Sequence, residues 1–176
     1  MGWRSLPGVL ASLVGFLKWQ DGGMPALDEI WNSIGPLWAA VNESEWAESG
    51  PAPSVDGGEA TVFAARTADV EQPPQLPEGG DVVGAPLGPY DAVEVTLFGR
   101  AAARGRIAFG DSVAVVGHFD FEKGTDPDVL GPALVSALAE EAFLEGAEVI
   151  YTVVEASQAP SYLGTGWTEA GRLTRS

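Results

Sequence analysis

The chain has 176 residues, 45% of them hydrophobic, a formal net charge of −16, no cysteine and one histidine. That apolar content suits one packed domain and argues against global disorder, while the cysteine and histidine usage excludes a disulfide framework, a thiolate nucleophile and a multi-histidine metal site. So acidic a surface repels nucleic-acid backbones and anionic membranes and favours solubility, high-salt tolerance or docking on a basic partner; a carboxylate-only Mg²⁺ or Ca²⁺ site stays open, but no EF-hand spacing occurs.

Residues 1–23 read as an apolar helical arm. "SLPGVLASLVGFLKW" is apolar over about a dozen positions, too few to cross a bilayer. Arg4 ahead of it gives the look of a secretion signal, but the following "KWQDGGMPA" is charged and makes a poor cleavage site. Gly8, Ser12 and Gly15 form one narrow face suited to close helix packing. Leu13, Phe16, Leu17 and Trp19 are the arm's candidate partner contacts. Met24 is a second candidate start, which would make the arm a leader.

Residues 24–176 read as one domain. Leu27, Ile30, Trp31, Ile34, Trp38 and Val41 make a helical stripe. Gly35-Pro36 interrupts it, which predicts two short helices within 24–46, with Pro36 in the first turn of the second. Five of the six tryptophans lie in the first 46 residues, serving either core packing or an interface. The composition of 47–58 predicts a linker. "ATVFAAR" predicts a strand, and 69–90 a long Pro/Gly-rich loop.

Three strands follow: "AVEVTLFG", "GRIAF" and "SVAVVGHFDF", the last two joined by a tight turn at Gly110-Asp111. Arg100, Arg104 and Arg106 form the basic cluster, read as a solvated loop or an anion or partner contact. In the third strand strict alternation puts Val113, Val115, Phe119 and Phe121 on one face. Ala114, Val116, His118 and Asp120 take the other, which suggests a strand covered on both sides. His118 there reads as a hydrogen-bonded core residue, with general base as the sharper alternative.

A helix over Val129–Glu145 should bury Leu130, Leu134, Val135, Leu138, Ala142 and Phe143, with Glu140, Glu141 and Glu145 outward and Gly146 as its C-terminal stop. "AEVIYTVV" reads as a buried strand, Pro160–Tyr162 as a short helix and "GWTEAGRLT" as the closing strand. The expected core is Leu134, Leu138, Phe143, Val149, Ile150, Val153, Val115 and Phe119. The fold class is α/β (α+β), with a mixed, mostly antiparallel sheet over 92–174 flanked by helices.

The stretch "GAEVIYTVVEASQAPSYLGTGWTEAG", with Tyr162 four residues ahead of Gly166-Trp167, resembles the GNAT superfamily of acetyl-CoA-dependent N-acetyltransferases over about Ala92–Thr174. The resemblance implies a pyrophosphate loop between the central strand and the long helix, of pattern Gln/Arg-x-x-Gly-x-Gly/Ala. Its glycines admit backbone N–H groups to the phosphates, aided by the helix dipole. The matching run is Asp126-Pro127-Asp128-Val129-Leu130-Gly131, and only Gly131 survives. The positions implied to face a cofactor are Gly124, Val129, Gly131, Pro132 and Ala133. Asp126 replaces the basic or amide residue, Val129 replaces a glycine, and Pro127 and Pro132 each remove a donor. Asp126 and Asp128 suit helix capping instead, which would fill the anion site from within.

The resemblance also implies a carboxylate base, for which Glu122 and Glu155 at strand ends are the candidates, and a tyrosine acid at Tyr162. The family's first strand, ahead of its first helices, is missing. With its eroded loop the chain resembles the GNAT-like proteins of tailed-bacteriophage structural gene clusters. The reading that follows is a non-catalytic structural or interaction subunit with no cofactor, cytoplasmic or virion-associated. Its partners would be protein, in a large assembly or a homo-oligomer, without nucleic acid or a membrane span. The alternatives are an active acetyltransferase using acetyl-CoA, with Arg104 or Arg106 contacting phosphate, and a small acidic binding module.

Overall fold

A computed structural model describes residues 27–42, 59–72, 74–154, 160, 163 and 166–174. Helix α1 spans Leu27–Val41. Strand β1, Glu59–Arg66, runs into a 3-10 turn at Thr67–Asp69. Strands β2 (Gly80–Pro86), β3 (Asp91–Leu97), β4 (Arg100–Phe109) and β5 (Val113–Phe121) follow as a meander. Helix α2 (Pro127–Leu144) leads to β6 (Val149–Val154), and β7 (Thr168–Thr174) closes the order.

The seven strands form one sheet in the order β2-β3-β4-β5-β6-β1-β7. Every neighbouring pair is antiparallel except β5–β6. This is the mixed, mostly antiparallel architecture expected. The early strand β1 is slotted between the two last ones, and Ala60–Ala65 are all buried, as a strand covered on both faces requires.

The helices lie on opposite faces and define two cores. Under α2, Leu130, Leu134, Val135, Leu138 and Ala142 pack on Val93, Val95, Ile107, Val116 and Ile150. Under α1, Ile30, Ile34 and Val41 pack on Val62, Val115, Tyr151 and Val153. Pro36 does not split α1: it sits inside one continuous helix on the exposed side. Its missing hydrogen bond therefore falls toward solvent, while Ile34 and Val41, both 0% exposed, hold the helix to the sheet. Phe143 is not in the core; it is 57% exposed. Among the described residues no helix is long and apolar enough to cross a membrane.

β2 lies inside the stretch expected to be a loop. Most of its residues are exposed, so its sequence lacks the apolar alternation that marks a strand. It forms because it pairs with β3 from Gly80↔Leu97 to Pro86↔Asp91. As an edge strand it is blunted. The hydrogen bonds Phe98 N–H to Gly79 O and Leu87 N–H to Tyr90 O at the two ends turn Gly80, Val82, Gly84 and Pro86 outward by antiparallel alternation. The Gly80 N–H bonds Pro77 O at 2.9 Å, the Val82 N–H bonds Asp81 Oδ1 at 2.9 Å, and Pro86 has no N–H. Gly84 is left to offer an outward donor, a poor template for strand addition.

β5 departs from alternation. Arg106 pairs with Gly117 and Arg104 with Asp120, so Gly105 of β4 faces both His118 and Phe119. This is a β-bulge, with His118 in the left-handed region at φ 53°. The extra residue flips the strand's phase. Val115 faces α1, whereas Phe119 and Phe121 join Ala114 and Val116 under α2. His118 is exposed rather than a core residue. At Gly105 an added Cβ would come 2.9 Å from Leu138 Cδ1 and 3.3 Å from Phe119 Cδ1, so the bulge and the α2 packing meet where a side chain is excluded.

α2 ends in a Schellman motif: Ala147 N–H bonds Ala142 O, Gly146 N–H bonds Phe143 O, and Gly146 has φ 85°. No basic residue stands in the last turn, and Glu140, Glu141 and Glu145 crowd it. Burial, then the charges of Asp91, Glu145 and Glu140, push the Glu141 carboxyl above its ordinary value. The folded state thus binds that proton more tightly than the unfolded chain. The penalty is absent below the ordinary carboxylate range, grows as pH rises through the raised value, and is complete above it. Glu141→Gln is expected to add about 0.5 kcal/mol near neutral pH and nothing at about pH 3. Urea midpoints at the two pH values check this; an equal gain at both would rule out the charge as its cause.

Candidate cofactor site

The parallel ladder between β5 and β6 is short: Val113↔Val149, Ala114↔Ile150 and Val115↔Tyr151. Beyond it β5 pairs only with β4 and β6 only with β1, so the sheet parts. The chain leaving β5 crosses Glu122–Thr125 and enters α2 beside this parting.

The start of α2 is satisfied from within. Asp126 is the N-cap, and its Oδ1 accepts the Asp128 N–H at 3.0 Å. The Asp126 main-chain oxygen accepts from Val129 N–H at 3.1 Å and Leu130 N–H at 2.9 Å. Pro127, the first helical residue, has no N–H. The Asp128, Val129 and Leu130 N–H donors of this turn are engaged, and Asp126 and Asp128 add two negative charges. The residues present do not fit a pyrophosphate. Of the two carboxylates expected to cap this helix, Asp126 does so, and Asp128 supplies the N–H that it accepts.

The five positions implied to face a cofactor do not share one exposed surface. Gly124 (φ 90°), Val129 and Pro132 are exposed, whereas Gly131 and Ala133 are buried beneath the helix. The surviving glycine is therefore enclosed and not presented to solvent.

Glu122 is at the end of β5, but its Oε1 lies 3.2 Å from Arg104 Nη2. Arg104 also reaches Glu94 at 3.2 Å and Asp120 at 3.7 Å. Arg106 lies on β4 with it; its Nη1 donates to Val41 O at 3.0 Å, and its guanidinium sits 4.5 Å from the Tyr90 ring centroid. The arginine cluster is thus strand β4 rather than a loop. Arg104 neutralises carboxylates, and Arg106 holds the end of α1. Glu155 and Tyr162, the other catalytic candidates, and Leu13, Phe16, Leu17 and Trp19 of the arm lie outside the described residues.

Two hydroxyl groups at the parting were read from the sequence only as parts of a buried strand. Tyr151, at the last parallel pair, is buried toward α1, and desolvation pushes its hydroxyl up to about 12. It stays protonated at neutral pH. Thr152 is 1% exposed and its Oγ1 has no hydrogen-bond partner. Pairing with Phe63 puts it on the α2 side. Their signal was polarity inside "VIYTVV", which a buried apolar strand does not need. On the α1 side the parted half of β5 is covered: an added Cβ at Gly117 would lie 2.7 Å from Trp38 Cζ3 and 3.2 Å from Val41 Cγ1. Among the described residues no cluster of three potential metal ligands occurs.

No protein-family profile and no curated protein matches the sequence. Solved structures do. The chain superposes on a GCN5-related N-acetyltransferase from Kribbella flavida with TM-score 0.56 at 14% identity, covering 66% of this chain and 56% of that one. The fold is that of the GCN5-related N-acetyltransferases. A tandem GNAT protein of the clavulanic acid biosynthesis pathway matches with TM-score 0.53 at 14% identity, over 72% of this chain and 59% of that one. A putative GNAT-family acetyltransferase from Novosphingobium aromaticivorans matches with TM-score 0.51 at 15% identity, over 72% and 68%. The chain spans a little over half the length of the Kribbella protein. Identities this low carry the GNAT architecture, not the chemistry.

Proposed function

We propose that this chain is a GNAT-fold binding subunit whose cofactor site is closed from within, and not a working acetyltransferase. The observation that carries the reading is the helix start: Asp126 takes the Asp128, Val129 and Leu130 N–H groups on its own oxygens. The engagement of Glu122 by Arg104 supports it, as does the cover of Trp38 over Gly117. Its partner is a protein, and the charge of −16 selects a basic surface. A place in a larger assembly, a phage virion among them, extends the same reading.

A second reading, an acetyl-CoA-dependent N-acetyltransferase, draws on the two hydroxyls at the parted strands. Tyr151 keeps its proton, as a general acid must, and Thr152 Oγ1 lacks a partner. Calorimetric titration with acetyl-CoA separates the two. The closed-site reading expects no saturable heat; a micromolar dissociation constant would overturn it and favour the second, which acetyl transfer to an amine would then have to show.

A further inference from the structure

The far end of α2 carries a different surface. An open groove of about 470 Å³ runs between the 3-10 turn and the last turn of α2, lined by Ala68, Asp69, Val70, Glu71, Gln72 and Phe143. Its two sides are tied together beneath. Thr67 Oγ1 donates to Ala147 O at 2.8 Å across the two sides, and within the turn side Gln72 Nε2 donates to Thr67 O at 2.6 Å. The groove is therefore preformed and needs no ligand to set its width. Val70 gives an apolar floor at 6% exposure, while Phe143 stands 57% exposed beside it. A large aromatic held in water next to an apolar floor fits an apolar side chain.

The surroundings are acidic. Asp69 is already paired with Arg66 at 2.8 Å, and Glu71 accepts from Gln75 at 2.6 Å. Glu140 stands one turn before Phe143 on the same flank of the helix. Its Oε2 is buried and has no hydrogen-bond partner. The carbonyl end of α2 adds its own negative potential, and no basic residue in the last turn offsets it. An acidic segment would be repelled here, and a cation beside the apolar anchor would meet the exposed Glu71 carboxylate within the negative potential of Glu140 and the helix end.

We infer that this groove docks a short segment of a partner protein that presents an apolar side chain next to arginine or lysine. The inference names a partner chemistry for the binding reading without resting on the cofactor loop. That loop lies at the other end of an 18-residue helix, about 27 Å away by helical rise.

The test is an NMR titration of the full chain with two capped hexapeptides, one alternating Arg and Leu, the other Glu and Leu. The basic peptide is expected to give saturable shifts at the amides of residues 68–72 and Phe143, and the acidic peptide none. Phe143→Ser should weaken binding at least about tenfold, and Glu140→Gln about fivefold. Both side chains lie outside the packed cores, and spectra unchanged elsewhere would verify the folds. Absence of saturable shifts, shifts confined to other surfaces, equal binding of the acidic peptide, or unchanged affinity in Phe143→Ser would each overturn the inference. Acetyl-CoA binding would be read separately at Asp126–Leu130, so either proposal can fail while the other stands.

Discussion

Leu138→Ala is expected to lower the unfolding free energy by about 2–5 kcal/mol. Leu138 is 0% exposed on the buried side of α2. Its Cδ1 fills the space where Gly105 has no side chain, so truncation removes apolar contact and opens a cavity above the bulge. The upper part of that range applies if the backbone at Gly105 cannot settle into the void, because both neighbouring β4 pairings anchor it. Phe119→Ala, at a part-buried ring beside the same glycine, belongs at the lower end. Phe143→Ala is the control. An exposed ring should cost within about 0.5 kcal/mol. Urea denaturation of the three variants measures this, and a loss below about 1 kcal/mol for both Leu138→Ala and Phe119→Ala would mean the packing under α2 is wrongly assigned.

The second large effect concerns cofactor affinity. The unaltered chain is expected to bind acetyl-CoA too weakly to saturate. Replacing Asp126 and Asp128 together with asparagine keeps a capping oxygen and removes two charges. Each charge costs on the order of 1 kcal/mol against a pyrophosphate at surface dielectric, so affinity should rise by about ten- to a hundredfold. Adding Val129→Gly should raise it further by letting the backbone approach the phosphate. Recovery stays partial for two reasons. Pro127 offers no donor, and the Asp126 main-chain carbonyl keeps the Val129 and Leu130 N–H groups whatever side chain it carries. Circular dichroism should show α2 retained. Tight binding by the unaltered chain would show that the loop has been matched to the wrong residues. If no variant binds, the site is lost elsewhere, and the contact of Trp38 on Gly117 is the place to cut next.

Some of this was legible along the chain because the determining interactions are local. The run Asp126-Pro127-Asp128 carries a capping carboxylate two residues ahead of the N–H it accepts. Leu130, Leu134 and Leu138 repeat at helical spacing, and Gly146 supplies the left-handed residue that ends the helix. The closed helix start, on which the proposed function rests, is thus a property of a few consecutive residues. The stretch Gly146–Gly171 resembles a GNAT ending; solved GNAT structures share the chain's fold, while residues 155–159, 161–162 and 164–165 of that stretch lie outside the described residues.

By itself the sequence determined the chain's acidity, which is a sum over its residues, and α2 with both its caps and the apolar strands β1, β3, β5 and β6, because each of these elements follows from residues within a turn or two of one another. Tertiary structure decided the rest. A period-two pattern holds no mark of an inserted residue, so the bulge at His118 needed Gly105 across the ladder to admit it. That one residue moved Phe119 and Phe121 to the face opposite Val115. β2, lacking buried alternation, exists through its pairing with β3. Pro36 stayed helical because the apolar stripe on the other side of α1 outweighs one missing hydrogen bond facing water. Phe143 left the core because it falls outside the buried stripe of α2, on the flank beside the 3-10 turn. These outcomes turn on which surface each side chain meets, and that is set by contacts between residues far apart in the chain.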